Sequence, residues 1–452
     1  MKNMKIEFSQ ERIIPAGGLS VVGAILGKSG FVKRCNRMDV TQNRSQHQIK
    51  NGDVLLTYIG MLCMGKPAFD SVHEFDDDRE FYQYALRITR AIPSEEIIRQ
   101  RMDDIGCSLR SQILAENVFM LRMNGISPSR LPNGFVPVDM DVTPFDNSKT
   151  KKQGGSWTYK GYDGYAPMMA YIGTEGYLIN AELREGKQHC QKETPRFLRE
   201  TIRLCRQITK EPLLFRLDSG NDSAENIGIL LEEGCSFIIK RNLRRESQED
   251  WYAMAKEHSI KVSSPRDGKT VYLGSDWKDI SWKSTEGSIQ KAAIRTGYEI
   301  IERTIDRYGQ YLLPADLEIN TWWTNTGMTD EDVIQSYHAH GECEQYHSEI
   351  KTDMDVERLP SGKFATNELV LELTILSYNI LRMIGQETIG RRTPKSNQKV
   401  HRRRLRTVIG NLIRMACHVT EHARSVIINL GRSNPWRWCF AEIHRAFVDF
   451  NR

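Results

Sequence analysis

A chain of 452 residues exceeds what one hydrophobic core usually organises, and with 39% hydrophobic and 27% charged residues it reads as an ordinary globular protein of several structural units. Nine single cysteines without a C-x-x-C pair indicate neither a zinc site nor a disulfide framework, and the first eighteen residues lack the apolar core of a signal peptide. The net charge of +5 is unevenly spread: residues 386–452 carry fourteen Lys and Arg against four Asp and Glu, which leaves the rest of the chain acidic. Such a tail suits a polyanion, nucleic acid being the commonest, although a solvated basic face gives the same pattern.

Residues 1–130 read as mostly helical. Gly52 to Gly65 carries an apolar stripe, and Pro93-Ser94-Glu95-Glu96 is a helix start with Ser94 as cap and acids in the first turn. Lys33, Arg34, Arg37, Arg44 and Lys50 are either phosphate contacts or surface charge. From Phe135 to Thr143 (FVPVDMDVT) apolar and polar residues alternate with the period of a strand. Two more strand-like runs follow at Tyr165 to Ile172 and Tyr177 to Leu183. A helix is expected over Glu193 to Ile208, a strand over Leu213 to Leu217, a helix over Ser223 to Glu233 and a strand over Ser236 to Lys240. Three strands, helix, strand, helix, strand is the order of a ribonuclease-H-like fold, a mixed sheet between helices.

Residues 245–325 carry β-type runs (Thr270 to Leu273, Ala292 to Thr304) and many Trp, which predicts a mostly β insertion in that core. Thr329-Asp330-Glu331-Asp332 opens a helix expected to run to about Met354, and a second is expected from Asn367 to Ile384. The latter is too short and polar to span a bilayer. The fold class predicted is therefore α/β, a ribonuclease-H-like core interrupted by a β insertion, with helical N- and C-terminal regions. Its parts are a helical DNA-binding region at 1–130, the core at 131–244 and 326–385, the insertion at 245–325 and a basic helical region at 386–452.

Three carboxylate positions stand out. Asp141, with Asp139 two residues before it, ends the first strand; Asp218 follows an apolar strand and precedes Ser219-Gly220; Glu344 lies in the predicted 329–354 helix. Carboxylates gathered at strand ends and on a flanking helix repel, and bound divalent cations resolve the repulsion. Mg²⁺ takes a few carboxylates with water and phosphate, and two such ions serve phosphodiester displacement. On an uninterrupted α-helix, Tyr337, His340, Glu344 and Lys351 share one face, as a site gripping metal and phosphate requires; an exposed polar face reads the same way.

The motif Y-x2-H-x3-E-x6-K resembles the Y-x2-R-x3-E-x6-K signature of DDE transposases of bacterial insertion sequences. V-D-M-D-V-T (Val138 to Thr143) and F-R-L-D-S-G-N-D-S (Phe215 to Ser223) resemble that family's first and second acidic motifs. Y-K-G-Y-D-G-Y-A-P (Tyr159 to Pro167) and G-K-x-x-F-D (Gly65 to Asp70) are most similar to insertion-sequence (IS) family 1380. The resemblance covers nearly the whole chain. It implies a ribonuclease-H-like core holding Mg²⁺ or Mn²⁺, two ions per site, and cleavage and joining at terminal inverted repeats of double-stranded DNA. It also implies a homodimer in the synaptic complex and a cytoplasmic, nucleoid-associated location without a membrane partner. Asp141 matches the first acid through D-x-T, with Asp139 as the fallback; Asp218 matches the second and Glu344 the third. Asp222 reads as a turn or capping residue. Tyr337 and Lys351 match DNA contacts near the scissile phosphate. His340 stands where the family usually has Arg, and a free imidazole is fully charged only below about 6.5. Trp322 and Trp323 either stack on a displaced base or pack the core. Lys240 and Arg241 either reach phosphate or cover the sheet edge, and Arg402, Arg403, Arg404 and Arg406 are candidate phosphate contacts. The alternatives are a ribonuclease-H-like structure-specific nuclease and a non-catalytic DNA-binding descendant.

Overall fold

The structure is a computed structural model that describes residues 4–37, 48–244, 246–394, 400–422 and 425–448. It divides into two units: Ser127–Pro144 with Ser156–His347, and Met1–Ile126 with Phe145–Gly155 and Ser348–Arg452.

The first unit is built on a nine-stranded mixed sheet. Its strands are β1 (Val136–Val142), β2 (Met168–Ile172), β3 (Tyr177–Glu182), β4 (Leu213–Leu217), β5 (Ser236–Lys240), β6 (Lys261–Arg266), β7 (Lys269–Lys283), β8 (Ile289–Ile305) and β9 (Tyr311–Thr324). They lie in the order β6-β7-β8-β9-β5-β4-β1-β2-β3. β1, β4 and β5 run parallel, and every other neighbour is antiparallel. The short apolar runs LLFRL and SFIIK give central strands because a parallel strand covered on both faces needs no polar side. Helices Thr194–Ile208 and Ala224–Glu232 make the crossovers to β4 and β5, the second capped by the Ser223 side chain. The expected β insertion is present, preceded by helix Gln248–His258, and it extends the core sheet: Trp322, Trp323 and Thr324 of β9 pair with Lys240, Ile239 and Ile238 of β5. The outer edge, β6, is largely exposed and carries Lys261, Pro265 and Arg266, which discourage pairing with another strand.

The helix predicted from Thr329 to Met354 is corrected. Thr329 caps it as expected, but an α-helix over Asp330–His338 gives way to a 3₁₀ turn at Ala339–Gly341. An α-turn follows at Glu342–Ser348 and a π-turn at Glu349–Asp353. A 3₁₀ turn winds faster and a π-turn slower than an α-helix, so a face laid out at 3.6 residues per turn does not persist.

The second unit packs helices Leu19–Ser29, Asn51–Cys63, Glu95–Ile105 and Arg110–Met123 with the long helix Phe364–Gln386. Asn51–Cys63 is buried along its whole length. It tolerates Asp53 because that carboxylate accepts hydrogen bonds from the Thr89 and Arg90 main-chain N–H groups at 2.8 and 3.0 Å. Ser94 caps the Glu95–Ile105 helix, as its sequence predicts. The C-terminal region, expected to be helical, contains a hairpin of Cys417–His422 with Ser425–Leu430, and Ile13–Ile14 adds a third strand to it. Here the β-branched run V-I-I outweighs the general basic character; among the described residues, helix is found at Leu405–Val408, continued by a π-turn at Ile409–Ile413, and at Arg437–Val448.

Glu349 ties this unit together. Its buried carboxylate receives Arg382, Arg402 at 2.7 Å and the Leu405 main-chain N–H at 3.1 Å. The Arg382 guanidinium, fully buried, also donates to Tyr378 Oη at 2.7 Å and to the Arg403 carbonyl at 3.0 Å. Removing one partner leaves a buried charge without its counter-ion. Glu349→Ala is therefore expected to lower unfolding free energy by about 3–5 kcal/mol, read by urea denaturation; an unchanged midpoint would contradict the anchoring role.

Candidate active site

Asp139 and Asp141 are two residues apart on β1 and so point to the same face. The parallel register sets Asp139 opposite Arg216 of β4. The pair is bidentate, with Arg216 Nε and Nη2 each 2.7 Å from an Asp139 oxygen, and His340 Nδ1 lies 2.9 Å from Oδ1. Arg216 also donates to the Ser336 carbonyl at 2.8 Å, fastening the end of helix Asp330–His338. Burial works against the Asp139 charge, but Arg216 and His340 outweigh it and hold the acid below its ordinary range. Burial likewise works against protonation of His340, and Asp139 outweighs it, so the imidazole titrates above its ordinary range.

Asp141 stands in the opposite situation. Its carboxylate accepts the Val142 N–H at 2.7 Å and lies 3.8 Å from His347 Nδ1, and no arginine pairs with it among the described residues. Burial first, then the charge of Asp218, with Glu344 adding, push its carboxyl up to about 7, against the pull of His340. Asp218 and Glu344 thus both lie within electrostatic reach of Asp141. Asp218 enters the turn Ser219–Asn221 at the end of β4, where Asn221 Nδ2 donates to Oδ1 at 2.6 Å. Glu344 is exposed on the Glu342–Ser348 turn. That turn is located by Tyr346, whose hydroxyl donates to the Thr174 carbonyl at 3.3 Å and whose ring covers Gly176. Gly176 has φ +69°, and a Cβ there would sit 2.4 Å from the ring, so glycine satisfies both the backbone and the contact. Tyr159 and Tyr337 line the same ground: burial and then Asp141 and Asp218 raise both phenols.

Tyr337 packs its ring 5.7 Å from both Trp322 and His340. His340 turns inward to Asp139 while its ring stays against Tyr337, both beside the acids. Lys351 falls in the other unit, 2.9 Å from Glu357. Trp322 is 1% exposed in a core cluster with Leu214, Ile238 and Val333. Trp323 donates from Nε1 to Asp222 Oδ1 at 2.9 Å, while Asp222 Oδ2 accepts the Asn242 N–H, which makes Asp222 a brace for the loop after β5. Arg241 lies 4.3 Å over the Trp323 ring and pairs with Glu246, leaving Nε and Nη1 buried without an acceptor beside a cavity of about 680 Å³. Lys240 is half-buried at the end of β5. Arg402, Arg404 and Arg406 are drawn to Glu349 and Asp353, and Arg403 donates to Thr388 at 3.0 Å. Of the N-terminal basic residues, Arg34 pairs with Glu116, and Arg44 lies outside the described residues. Cys343 and His347, which the sequence reading did not single out, come up against Asp141. The C-x3-H spacing within the glutamate motif was the available signal.

No curated protein matches the chain. The family described as Transposase DDE domain group 1 matches residues 1–450. The chain belongs to this transposase family. Among solved structures, it is similar to a piggyBac transposase determined by cryo-EM as a synaptic complex with hairpin DNA. The identity is 10%, the match covers 97% of this chain and 82% of that one, and the TM-score is 0.38. DDE transposases use divalent metal ions, and among the described residues the donor atoms of Asp141, Cys343 and His347 lie within 4.8 Å of one another. Burial and then the charge of Asp218 raise Asp141, and a bound cation would offset both.

The two neighbouring acids of this transposase should respond to neutralisation with opposite signs. Unfolded, Asp141 releases its proton near its ordinary 3.8; folded, it retains it to about 7. Its contribution to stability therefore falls as pH rises between those values. In metal-free protein, Asp141→Asn is expected to raise Tm at pH 8, the gain vanishing by about pH 4. Asp139→Asn strands Arg216 and is expected to lower stability by about 3–5 kcal/mol. Thermal unfolding across pH reads both, and equal responses would contradict the division of roles.

Proposed function

We propose that this chain is a DDE transposase of a bacterial insertion sequence, allied to IS family 1380, that binds the element's terminal inverted repeats, cuts there and joins the freed ends to target DNA. The observation that carries the reading is that Asp218 and Glu344 both act on the buried Asp141 in a chain matched by the family along its length. The strand order β3-β2-β1-β4-β5, with β1, β4 and β5 parallel, supports a ribonuclease-H-like catalytic core.

In this reading Asp141, Asp218 and Glu344 hold Mg²⁺ or Mn²⁺, two ions per site. When bound, the metal activates a water or 3′-hydroxyl and stabilises the leaving oxygen of an in-line phosphoryl displacement. The protein's own part is placement. Asn221 holds the Asp218 carboxylate, Val142 N–H orients Asp141, and Tyr337 and Tyr159 border the acids with phenols that stay protonated. His340 acts through Asp139 as a positioning residue. Lys351, Lys240 and Arg241 contact DNA, the orphaned Nε and Nη1 of Arg241 needing an acceptor that DNA supplies. Arg404 and Arg406, with side chains 51% and 65% exposed, keep free edges for phosphate, and Arg402 and Arg403 support them from within the unit. Trp323 is the better placed of the two tryptophans for a base, being beside the cavity, whereas Trp322 is core. Joining two ends requires a homodimer in the synaptic complex. The work is done in the cytoplasm, on nucleoid DNA; no described helix is long and apolar enough to cross a membrane.

Asp218→Ala and Glu344→Ala are expected to cut cleavage of inverted-repeat duplexes by at least about a hundredfold, beyond what loss of an outer-shell partner produces, with end binding retained in a gel-shift. Normal cutting by either variant in Mg²⁺ would overturn the assignment. A strand-transfer assay separates a transposase from a nuclease on the same fold, which would cut without joining.

A further inference from the structure

Beside the three carboxylates is a second donor set of different chemical character. Cys343 and His347 are one turn apart on Glu342–Ser348, and both face Asp141. Cys343 Sγ is 3.7 Å from His347 Nε2, and His347 Nδ1 is 3.8 Å from Asp141 Oδ2; one donor atom from each residue lies within 4.8 Å of the others. Tetrahedral zinc, with bonds of about 2.3 Å to sulfur and 2.0–2.2 Å to nitrogen or oxygen, separates its ligands by roughly 3.4–3.8 Å. The two contacts use different ring nitrogens, so binding turns the imidazole to aim one of them at the shared ion. The ring already lies against Tyr171, with centroids 5.5 Å apart, and that neighbour limits how far it can swing. Thiolate and imidazole select zinc-like ions over magnesium, so the pocket offers hard and soft donors side by side with Asp141 common to both.

We propose that Asp141, Cys343 and His347 form a site for a soft divalent cation, zinc by chemistry, whose occupation withdraws Asp141 from the carboxylate set. The site is thereby inhibitory. Occupation converts the Cys343 thiol to thiolate, and one proton leaves to solvent; if Asp141 is protonated, its proton leaves as well. His347 binds through the lone pair of a neutral ring nitrogen. Cys343 is 1% exposed and His347 is buried, while a quarter of the Asp141 side chain is open, so the ion enters past Asp141. The inhibitory consequence rests on the function proposed above; the metal site does not.

The test is therefore made first without DNA. Full-length, metal-free protein is titrated with Co²⁺, a spectroscopic stand-in for zinc. The expected result is a thiolate-to-cobalt charge-transfer band at one equivalent, displaced by Zn²⁺ and absent from Cys343→Ala. His347→Gln is expected to weaken Zn²⁺ by at least about tenfold in competition with a chromophoric chelator, which provides a second variant should Cys343→Ala not fold. No band, or a band that survives Cys343→Ala, overturns the proposal. The second arm measures Zn²⁺ inhibition of Mg²⁺-dependent end cleavage, in which Cys343→Ala should need at least about tenfold more zinc. Equal sensitivity refutes the inhibitory role. Failure of the wild type to cleave at all would refute the proposed function and leave the cobalt result to decide the site.

Discussion

The buried pair between Asp139 and Arg216 is the constraint on which the acidic site rests. Two opposed charges withdrawn from water hold their places strictly, because any slip leaves both without compensation. In a parallel ladder, a slip by one residue would also turn every side chain to the wrong face. With Asp139 opposite Arg216, the next residues on that face are Asp141 on β1 and Asp218 at the end of β4. The ion pair thus fixes the register one step below the acids and brings them side by side. His340, joining the same carboxylate from the 3₁₀ turn, carries the constraint to the segment that bears Glu344. Charge compensation at one level of the sheet permits uncompensated charge at the next.

Most of the core was legible because its signals are local. Alternation marked β1, and compact apolar runs between helix patterns marked β4 and β5 to the residue. Strand order and the attachment of the insertion to β5 come from pairings distant in the chain, which no local pattern encodes. The three acids are singled out by position at element ends and by resemblance; which neighbour of the first pair is charge-compensated depends on Arg216, one residue inside an apolar strand. The spacing argument for Tyr337, His340, Glu344 and Lys351 assumed an uninterrupted α-helix. The 3₁₀ turn alters the winding, yet Tyr337, His340 and Glu344 all stay near Asp141, His340 through its contact with Asp139. The basic tail shows the same limit: net charge was read correctly, yet Arg402, Arg404 and Arg406 meet Glu349 and Asp353, carboxylates some fifty residues upstream.

One short segment serves two purposes. The α-helix Glu342–Ser348 buries Cys343, Tyr346 and His347, spaced i, i+3 and i+4 on one face, and leaves Glu344 exposed on another. Tyr346, seated over Gly176, sets the height of this turn against the β2–β3 hairpin. The distance between Asp141 and the Glu344 segment therefore depends on an aromatic ring and a missing side chain.

The small sheet formed by Ile13–Ile14 and Cys417–His422 has a bearing on how the chain is made. Its first strand is translated about four hundred residues before its partner. The nine-stranded sheet, assembled entirely from the middle of the chain, has all its strands available well before that. Synthesis consequently delivers every strand of the large sheet while the small sheet still lacks its other two strands, and the waiting Ile13–Ile14 segment must be kept from other sheet edges throughout the interval.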